Sequence, residues 1–531
     1  MALQERFFGR ALVEKSMIHP LRTQSAEALL RIVAARLEDP ENNPPLRVYT
    51  YGGSPVFGTQ SFYNEWWLPN TTIGNEGYEL DGRFVEFPWP VQLEKIWNDA
   101  LFGGRDVIQV HNMAAGGVST ETGVLSLQCR QFGNSRLNED VHANQETVLP
   151  DVIIHAYSNN DVPFHFHYEA KGVQMTVDFV EAARKLRCDN ENLPAVVFYE
   201  DFVGVNNTYF PTHILASRNF RTVASLTSWY DLLGISFGAA FQNLHYSDDD
   251  HLRFGVGDWI HPRLIYHAAV APWLLSYGLL SGIVGLCEDE RHEGLLKETV
   301  NNNKDASTDQ SRRLGAAAAV AKTGPPDLEP AHIPPFRDMK YGSVEFTDAW
   351  REQTAKDLRR CASPSATNPC LPQSFLATRV GGLNHRSQLD QKLQEMQLSN
   401  VTGWETVGKD GVQRGEGRIG WEASTKGASF TVTVPDAREG LKIVLLPLVS
   451  YGERWAGSKL RVTARHPGDD TPLGTFTVNG VHESHTSVTE IQKLALDPKK
   501  LRPGGRVEAK FDLIGGSLFK LFGIMFCVDL E

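Results

Sequence analysis

The sequence predicts two folded parts in series: an α/β domain built on a parallel sheet, then an antiparallel β-sandwich. Three observations predict this. Residues 20–287 alternate short apolar runs with helical patterns, as expected of parallel strands covered on both faces by helices. Residues 300–335 turn polar and then Ala-, Gly- and Pro-rich, too poor in apolar surface to offset chain entropy. From about residue 396 the apolar period drops to two, in short runs separated by Gly, Pro and Asp turns. The expected divisions are therefore 20–287, 288–395 and 396–531.

In the first part, "SAEALLRIVAARLED" reads as an amphipathic helix and "LRVYTY" as the strand after it. "PVQLEKIWNDALFG" sets Val91, Leu93, Ile96, Trp97 and Leu101 largely on one side, so it reads as a helix leading into the strand "DVIQVHN". "PDVIIHAYS" and "PAVVFYEDF" read as further strands, with the helix "MTVDFVEAARKLR" between them. "FRTVASLTSWYDLLG" is helical and runs into "ISF". In the last part "ASFTVTVPD", "GLKIVLLPLVSY", "KLRVTARHP", "LGTFTVNG", "RVEAKFDLIG" and "LFKLFGIMFCVDL" read as sandwich strands. Residues 336–395 show helical fragments without a clear architecture.

Composition narrows the partners. The formal charge of −12 comes with no long basic run, which argues against nucleic acid or an anionic membrane surface as the main partner. The uncharged run "AAVAPWLLSYGLLSGIVGL" (268–286) is of borderline length for a membrane span, and its proline and glycines favour a buried helix closing the first domain. No integral span is expected. The six cysteines form no CxxC pair; Cys361 and Cys370 bracket a loop that suits a local disulfide in an oxidising compartment. Sequons at Asn70, Asn206 and Asn400 would permit glycosylation there, whereas the N-terminus lacks an apolar core of signal-peptide length. The compartment stays open.

The chemistry-bearing residues lie where strands end. Ser54 follows Gly52 and Gly53 in "YGGSPVFG", but neither the G-x-S-x-G elbow nor the phosphate-binding loop pattern fits. A nucleophilic serine needs a base, and the base needs an orienting carboxylate. "DWIHP" supplies Asp258 and His261 at a spacing that can aim both side chains the same way. Acyl transfer also needs oxyanion donors. After "DVIQVHN", Gly117 in "MAAGGVSTETG" offers a backbone N–H; after "PDVIIHAY", Asn160 in "SNNDV" offers a side-chain amide.

As a set, these segments resemble the four motif blocks of the SGNH (GDSL-type) hydrolases, over residues 20–285. The resemblance implies a flavodoxin-like α/β/α domain with Ser54 as nucleophile, His261 as base and Asp258 as its orienter. The oxyanion hole would comprise the Ser54 and Gly117 amides and Asn160. It also implies an open, shallow site acting on an acylated small molecule, glycan or lipid, without cofactor or metal. Gly53 stands where the family has the aspartate of G-D-S, Ser158 where its third block has glycine, and Pro55 after the nucleophile is unusual. The variant blocks and trailing β-domain are most similar to SGNH-like proteins of diatoms and related algae.

Other candidates carry weaker chemistry. Trp66 and Trp67, just after the nucleophile block, and His165 could line the pocket with Ser158. "HFHYE" (His165, His167, Glu169) and "SDDDH" (247–251) are read as pocket lining and a solvated loop rather than as metal ligands. Two other readings fit the same blocks: an acyltransferase with the same triad, and a non-catalytic glycan-binding or scaffold protein. A β-sandwich suits a glycan-targeting module by analogy of fold alone.

Overall fold

The structure, a computed structural model, describes chiefly residues 24–53, 88–128, 149–158, 160–161, 169–184, 194–201, 232–237, 266–281, 373–377, 385–396, 398–409, 418–482 and 487–528, with a few single positions and pairs between them. The first part is a five-stranded, wholly parallel sheet of β1 (Leu46–Gly52), β2 (Ile108–Asn112), β3 (Val152–Ala156), β4 (Ala195–Glu200) and β5 (Leu233–Ser236). Its order is β2-β1-β3-β4-β5, the flavodoxin-like arrangement. Strands β3, β4 and β5 are buried along their whole length, which is why they read as unbroken apolar runs.

Helix α1 (Gln24–Glu38) precedes β1, as its amphipathic pattern predicts. Helix α2 (Trp89–Lys95) widens into a π-helical stretch, Ile96–Leu101, and buries Trp89, Leu93 and Trp97. Helix α3 (Thr120–Gln128) follows β2 and packs against α4 (Glu169–Arg184). Glycine at position 123 makes that packing close: a Cβ there would sit 2.8 Å from both Phe179 and Tyr157. The uncharged run 268–286 is helical over 268–281, and its Leu274 and Leu275 are fully buried in the core under β1 and β3. Among the described residues no helix is long and apolar enough to cross a membrane.

The second part is a sandwich of two antiparallel sheets. Strands β6 (Lys340–Tyr341) and β7 (Val344–Glu345) form a separate hairpin before it. One sandwich sheet runs β10 (Trp404–Val407), β11 (Gly420–Ala423), β19 (Phe519–Cys527), β13 (Lys442–Val449), β16 (Val488–Thr489). On it, β8 (Phe375–Leu376) pairs with β19 and β17 (Gln492–Ala495) with β13. The other runs β15 (Gly474–Asn479), β14 (Lys459–Arg465), β18 (Gly505–Gly515), β12 (Ser429–Ala437), β9 (Leu398–Thr402). All six runs read as strands from the sequence are strands here. The sandwich core also takes in Phe375 and Ala377, together with Leu389 and Leu393 of α5 (Arg386–Glu395).

The sheet carrying β13 and β19 is buried on both faces. Ile443, Leu445, Leu521, Ile524 and Phe526 point into the sandwich. Val444, Leu446, Leu448, Phe522, Met525 and Cys527 point the other way, into a second cluster that includes Leu125 of α3. A register shift between Leu446 and Pro447 keeps both faces apolar across Gly523. The sandwich is therefore packed against the α/β domain through an apolar seam, at the helix that follows the β2 loop.

Candidate active site

In an open parallel sheet the ligand crevice lies beyond the carboxyl ends of the strands where the order reverses. Here that point is the gap between β1 and β3, since the chain leaves β1 for β2 on one side and β3 on the other. Gly53, the residue before Ser54, stands at the end of β1, and Asn160 stands in the helical turn that follows β3. The two touch closely: a Cβ on Gly53 would lie 2.1 Å from Asn160 Oδ1 and 2.7 Å from its Cγ. Glycine at position 53 thus has a steric reason, for any side chain there would displace the amide. Gly52 is confined differently, a Cβ meeting the Ala156 carbonyl oxygen at 2.4 Å.

The loop after β2 runs beside the same edge. Met113 N–H donates to the Thr50 carbonyl at 2.9 Å and Ala115 N–H to that of Gly52 at 3.2 Å, extending the β1 pairing beyond β2. Asn112 steadies the turn, its Nδ2 donating to the Val56 carbonyl and its Oδ1 accepting from Ala114 N–H. Gly117 then adopts φ +68°, the left-handed region where glycine is at ease. Among the described residues its N–H meets no backbone acceptor.

The β2 and β3 loops are tied by a buried polar chain. Asp161, fully enclosed, accepts from Thr120 N–H at 2.9 Å and from the Thr120 hydroxyl at 2.5 Å. The Thr120 hydroxyl is also 2.7 Å from His155 Nε2, within a cage of Tyr157, Phe179 and Phe198. Asp161 thus caps the first turn of α3 from a distant loop. Desolvation pushes its pKa up to about 7 against the lowering effect of the Thr120 hydrogen bonds. Ser158 lies in the same turn and is buried.

A group from the sandwich completes the surroundings of Gly117. Thr489 N–H on β16 donates to the Gly117 carbonyl at 2.9 Å, and a Cβ on Gly117 would crowd the Ser487 carbonyl at 3.3 Å. Arg418, beside β11, donates from Nη1 to the Gly116 carbonyl and from Nη2 to the Thr489 hydroxyl, each at 3.2 Å. Its guanidinium lies 3.2 Å over the Phe522 ring centroid. Burial lowers its pKa to about 9, which leaves it cationic at neutral pH.

Of the residues the sequence singled out, Gly117, Asn160 and Ser158 fall in this region. Ser54, Asp258, His261, Trp66, Trp67 and His165 lie outside the described residues, as do His167, the 247–251 run and the Cys361–Cys370 pair. Glu169 opens α4. Thr120, Asp161, Arg418 and Thr489 were given no role from sequence. Asp161 stood in the "SNNDV" block; for Arg418 no sequence signal exists.

No protein-family model matches the chain, and no curated protein does. Among solved structures it is similar to a two-domain esterase (CEX) active on acetylated mannans, co-crystallised with mannopentaose. That likeness has 13% identity, covers 98% of this chain and 99% of the other, and has a TM-score of 0.47. A quarter of the chain is similar to carbohydrate-binding modules. One is the xylan-binding module CBM15, with 12% identity over 24% of this chain and 93% of that one, TM-score 0.18. Another is the C-terminal CBM6 of a marine laminarinase from Zobellia galactanivorans, with 13% identity over 25% of this chain and 93% of that one, TM-score 0.18. These are likenesses of architecture.

Proposed function

We propose that this chain is a serine ester hydrolase of SGNH type. Ser54 is its nucleophile, His261 its base and Asp258 the orienter, with the Ser54 and Gly117 amides and Asn160 as oxyanion donors. The observation that carries the reading is the contact between Gly53 and Asn160 at the β1/β3 switch point. It sets the residue before the nucleophile against an oxyanion donor, at the sheet edge where a ligand crevice forms. The Gly117 loop, bonded to Gly52 through Ala115, supports the same convergence.

The reaction proceeds in two acyl-transfer steps. His261 takes the Ser54 hydroxyl proton as Oγ attacks the ester carbonyl, and the three donors hold the oxyanion. Collapse breaks the bond to the alcohol, which leaves with the proton from His261. Water attacks the acyl-enzyme while His261 accepts its proton. The acid departs, and the proton returns to Ser54. The substrate class is an acylated carbohydrate or lipid, as the sequence resemblance implies; the algal affinity rests on the motif blocks alone. Acetylated glycans, including the mannans on which the two-domain neighbour acts, are natural test substrates.

A fluorophosphonate probe tests the nucleophile. Labelling of the wild-type chain that disappears in Ser54→Ala is the expected result. Absence of labelling between pH 6 and 9 would leave the non-catalytic reading in its place. Product formed only when an acceptor alcohol is added would make the enzyme an acyltransferase.

A further inference from the structure

We propose that Arg418, a residue of the sandwich, is a positioning residue for the Gly117 oxyanion donor. Its guanidinium holds the Gly116 carbonyl and so aims and polarises the Gly117 N–H. The inference rests on the esterase reading and adds to it a requirement for the second domain.

The geometry follows from one peptide plane. The Gly116 carbonyl and the Gly117 N–H belong to the same peptide, and no cis bond occurs among the described residues. In a trans peptide these groups point in opposite directions. Arg418 Nη1 grips the carbonyl from the sandwich side, so the N–H is turned away from the sandwich, into the α/β domain. The next plane is fixed as well, because the Gly117 carbonyl accepts from Thr489 N–H. Two consecutive glycines would otherwise leave this segment more conformational freedom than any other pair of residues. The sandwich removes that freedom on both sides of the Gly117 Cα.

Polarisation accompanies aim. A charged donor on a carbonyl draws electron density through the peptide and makes its N–H a stronger donor, more so where the dielectric is low. The positive charge also lies directly behind the peptide that would face the developing oxyanion.

The energetics favour a functional reason for Arg418. A guanidinium with 1% exposure is costly to bury, and no carboxylate among the described residues pairs with it. Its Nε has no acceptor among the described residues. Apolar groups in such a place commonly stabilise a fold as well as or better than a lone charge. Phe522, over whose ring the guanidinium lies, belongs to an apolar cluster with Leu446, Met525 and Leu125, so packing alone would be served by methionine.

The test compares Arg418→Met and Arg418→Lys with the wild-type full-length chain. The assays are aryl acetate hydrolysis, inhibition by phenylboronic acid and hydrogen–deuterium exchange over residues 113–119. Arg418→Met is expected to keep its Tm, lower kcat about 10- to 100-fold and leave KM within about threefold. That is less than outright loss of a donor, because the N–H remains and only its aim and polarisation are lost. The boronate Ki should rise in proportion to the fall in kcat, since the boronate anion occupies the oxyanion position. Arg418→Lys keeps a cation and one donor, and should recover part of kcat. If Arg418→Met does not fold, Arg418→Lys decides alone, with an expected three- to tenfold loss in kcat and a matching rise in Ki. Values of kcat and Ki within twofold of wild type in a folded variant overturn the proposal. A wild-type chain that neither labels with fluorophosphonate nor hydrolyses ester refutes the esterase reading instead. In that case exchange over 113–119 still decides whether Arg418 fixes the loop: faster exchange in the variants supports it, and unchanged exchange overturns it.

Discussion

Adding one methyl group at Gly53 separates catalysis from folding. In Gly53→Ala the new Cβ would lie 2.1 Å from Asn160 Oδ1, and ordinary contact begins near 3.4 Å, so the amide must retreat by about 1.3 Å. The obstructing atoms are the end of a side chain, which can swing aside, and the fold should survive with little change in Tm. On the proposed reading, an oxyanion donor is then misplaced. A displacement of about 1 Å costs on the order of 10²-fold in rate, and loss of one donor about 10²- to 10³-fold, or roughly 3–4 kcal/mol. Steady-state hydrolysis of p-nitrophenyl acetate should show kcat down about 100-fold with KM nearly unchanged. Asn160→Ala should lose a similar amount, and in that background Gly53→Ala should cost little more, because both act through one amide. Gly52→Ala is the control: its Cβ would meet the backbone carbonyl of Ala156 on the paired strand, which cannot swing aside. That variant should lose stability, by about 1–3 kcal/mol. A Gly53→Ala enzyme within threefold of wild type, or one whose loss is undiminished in the Asn160→Ala background, would refute the reasoning.

Asp161 and Leu125 give two further expectations. The Asp161 pKa is raised from 3.8 to about 7, so between those values the folded chain holds a proton that the unfolded chain has released. Its contribution is full below pH 4 and is lost as pH rises through 7, by at most about 4 kcal/mol for a shift of about three units. Urea unfolding at pH 5 and pH 8 should therefore show wild type losing stability relative to Asp161→Asn as pH rises; parallel behaviour of the two would refute the assignment. Leu125→Ala removes a buried side chain from the seam between α3 and the sandwich, and should cost about 2–5 kcal/mol by denaturant melt. It should also speed hydrogen exchange at 113–119, since the seam anchors the helix that follows that loop; a loss of stability without faster exchange there would separate the two.

What the sequence made legible follows from what each pattern encodes. Strands β3, β4 and β5 are buried on both sides, so an apolar run sufficed to find them, and β12 and β14 alternate because one face is wet. Strands β9, β16 and β17 were not read, being short or mostly exposed edge segments with little apolar signal. In β19 the apolar run shows that both faces are covered, but it cannot say that Leu125 of α3 covers one of them. Gly117 and Asn160 stand out in the sequence by their place after predicted strands. The raised pKa of Asp161 does not, because desolvation is a property of the fold and the residue letter is the same in a surface turn. Arg418 and Gly116 are 302 positions apart, and no periodicity links them.

That separation bears on how such a site can be tuned. A backbone N–H is a catalytic group that substitution of its own residue barely alters, and at Gly117 substitution is closed off by φ +68° and the Ser487 carbonyl. The strength and direction of the donor can then be changed only through what holds its peptide plane. Here the holders are Arg418 and Thr489, both on the sandwich, so on the proposed reading the second domain would control the donor whether or not it also touches a glycan. A sandwich tethered only as a targeting module could be removed with loss of affinity for polymer and no loss of kcat on a small ester. With the peptide clasped as it is, removal should lower kcat on p-nitrophenyl acetate, a substrate too small to need targeting. The small substrate is therefore the one that distinguishes a tethered module from a structural part of the active site.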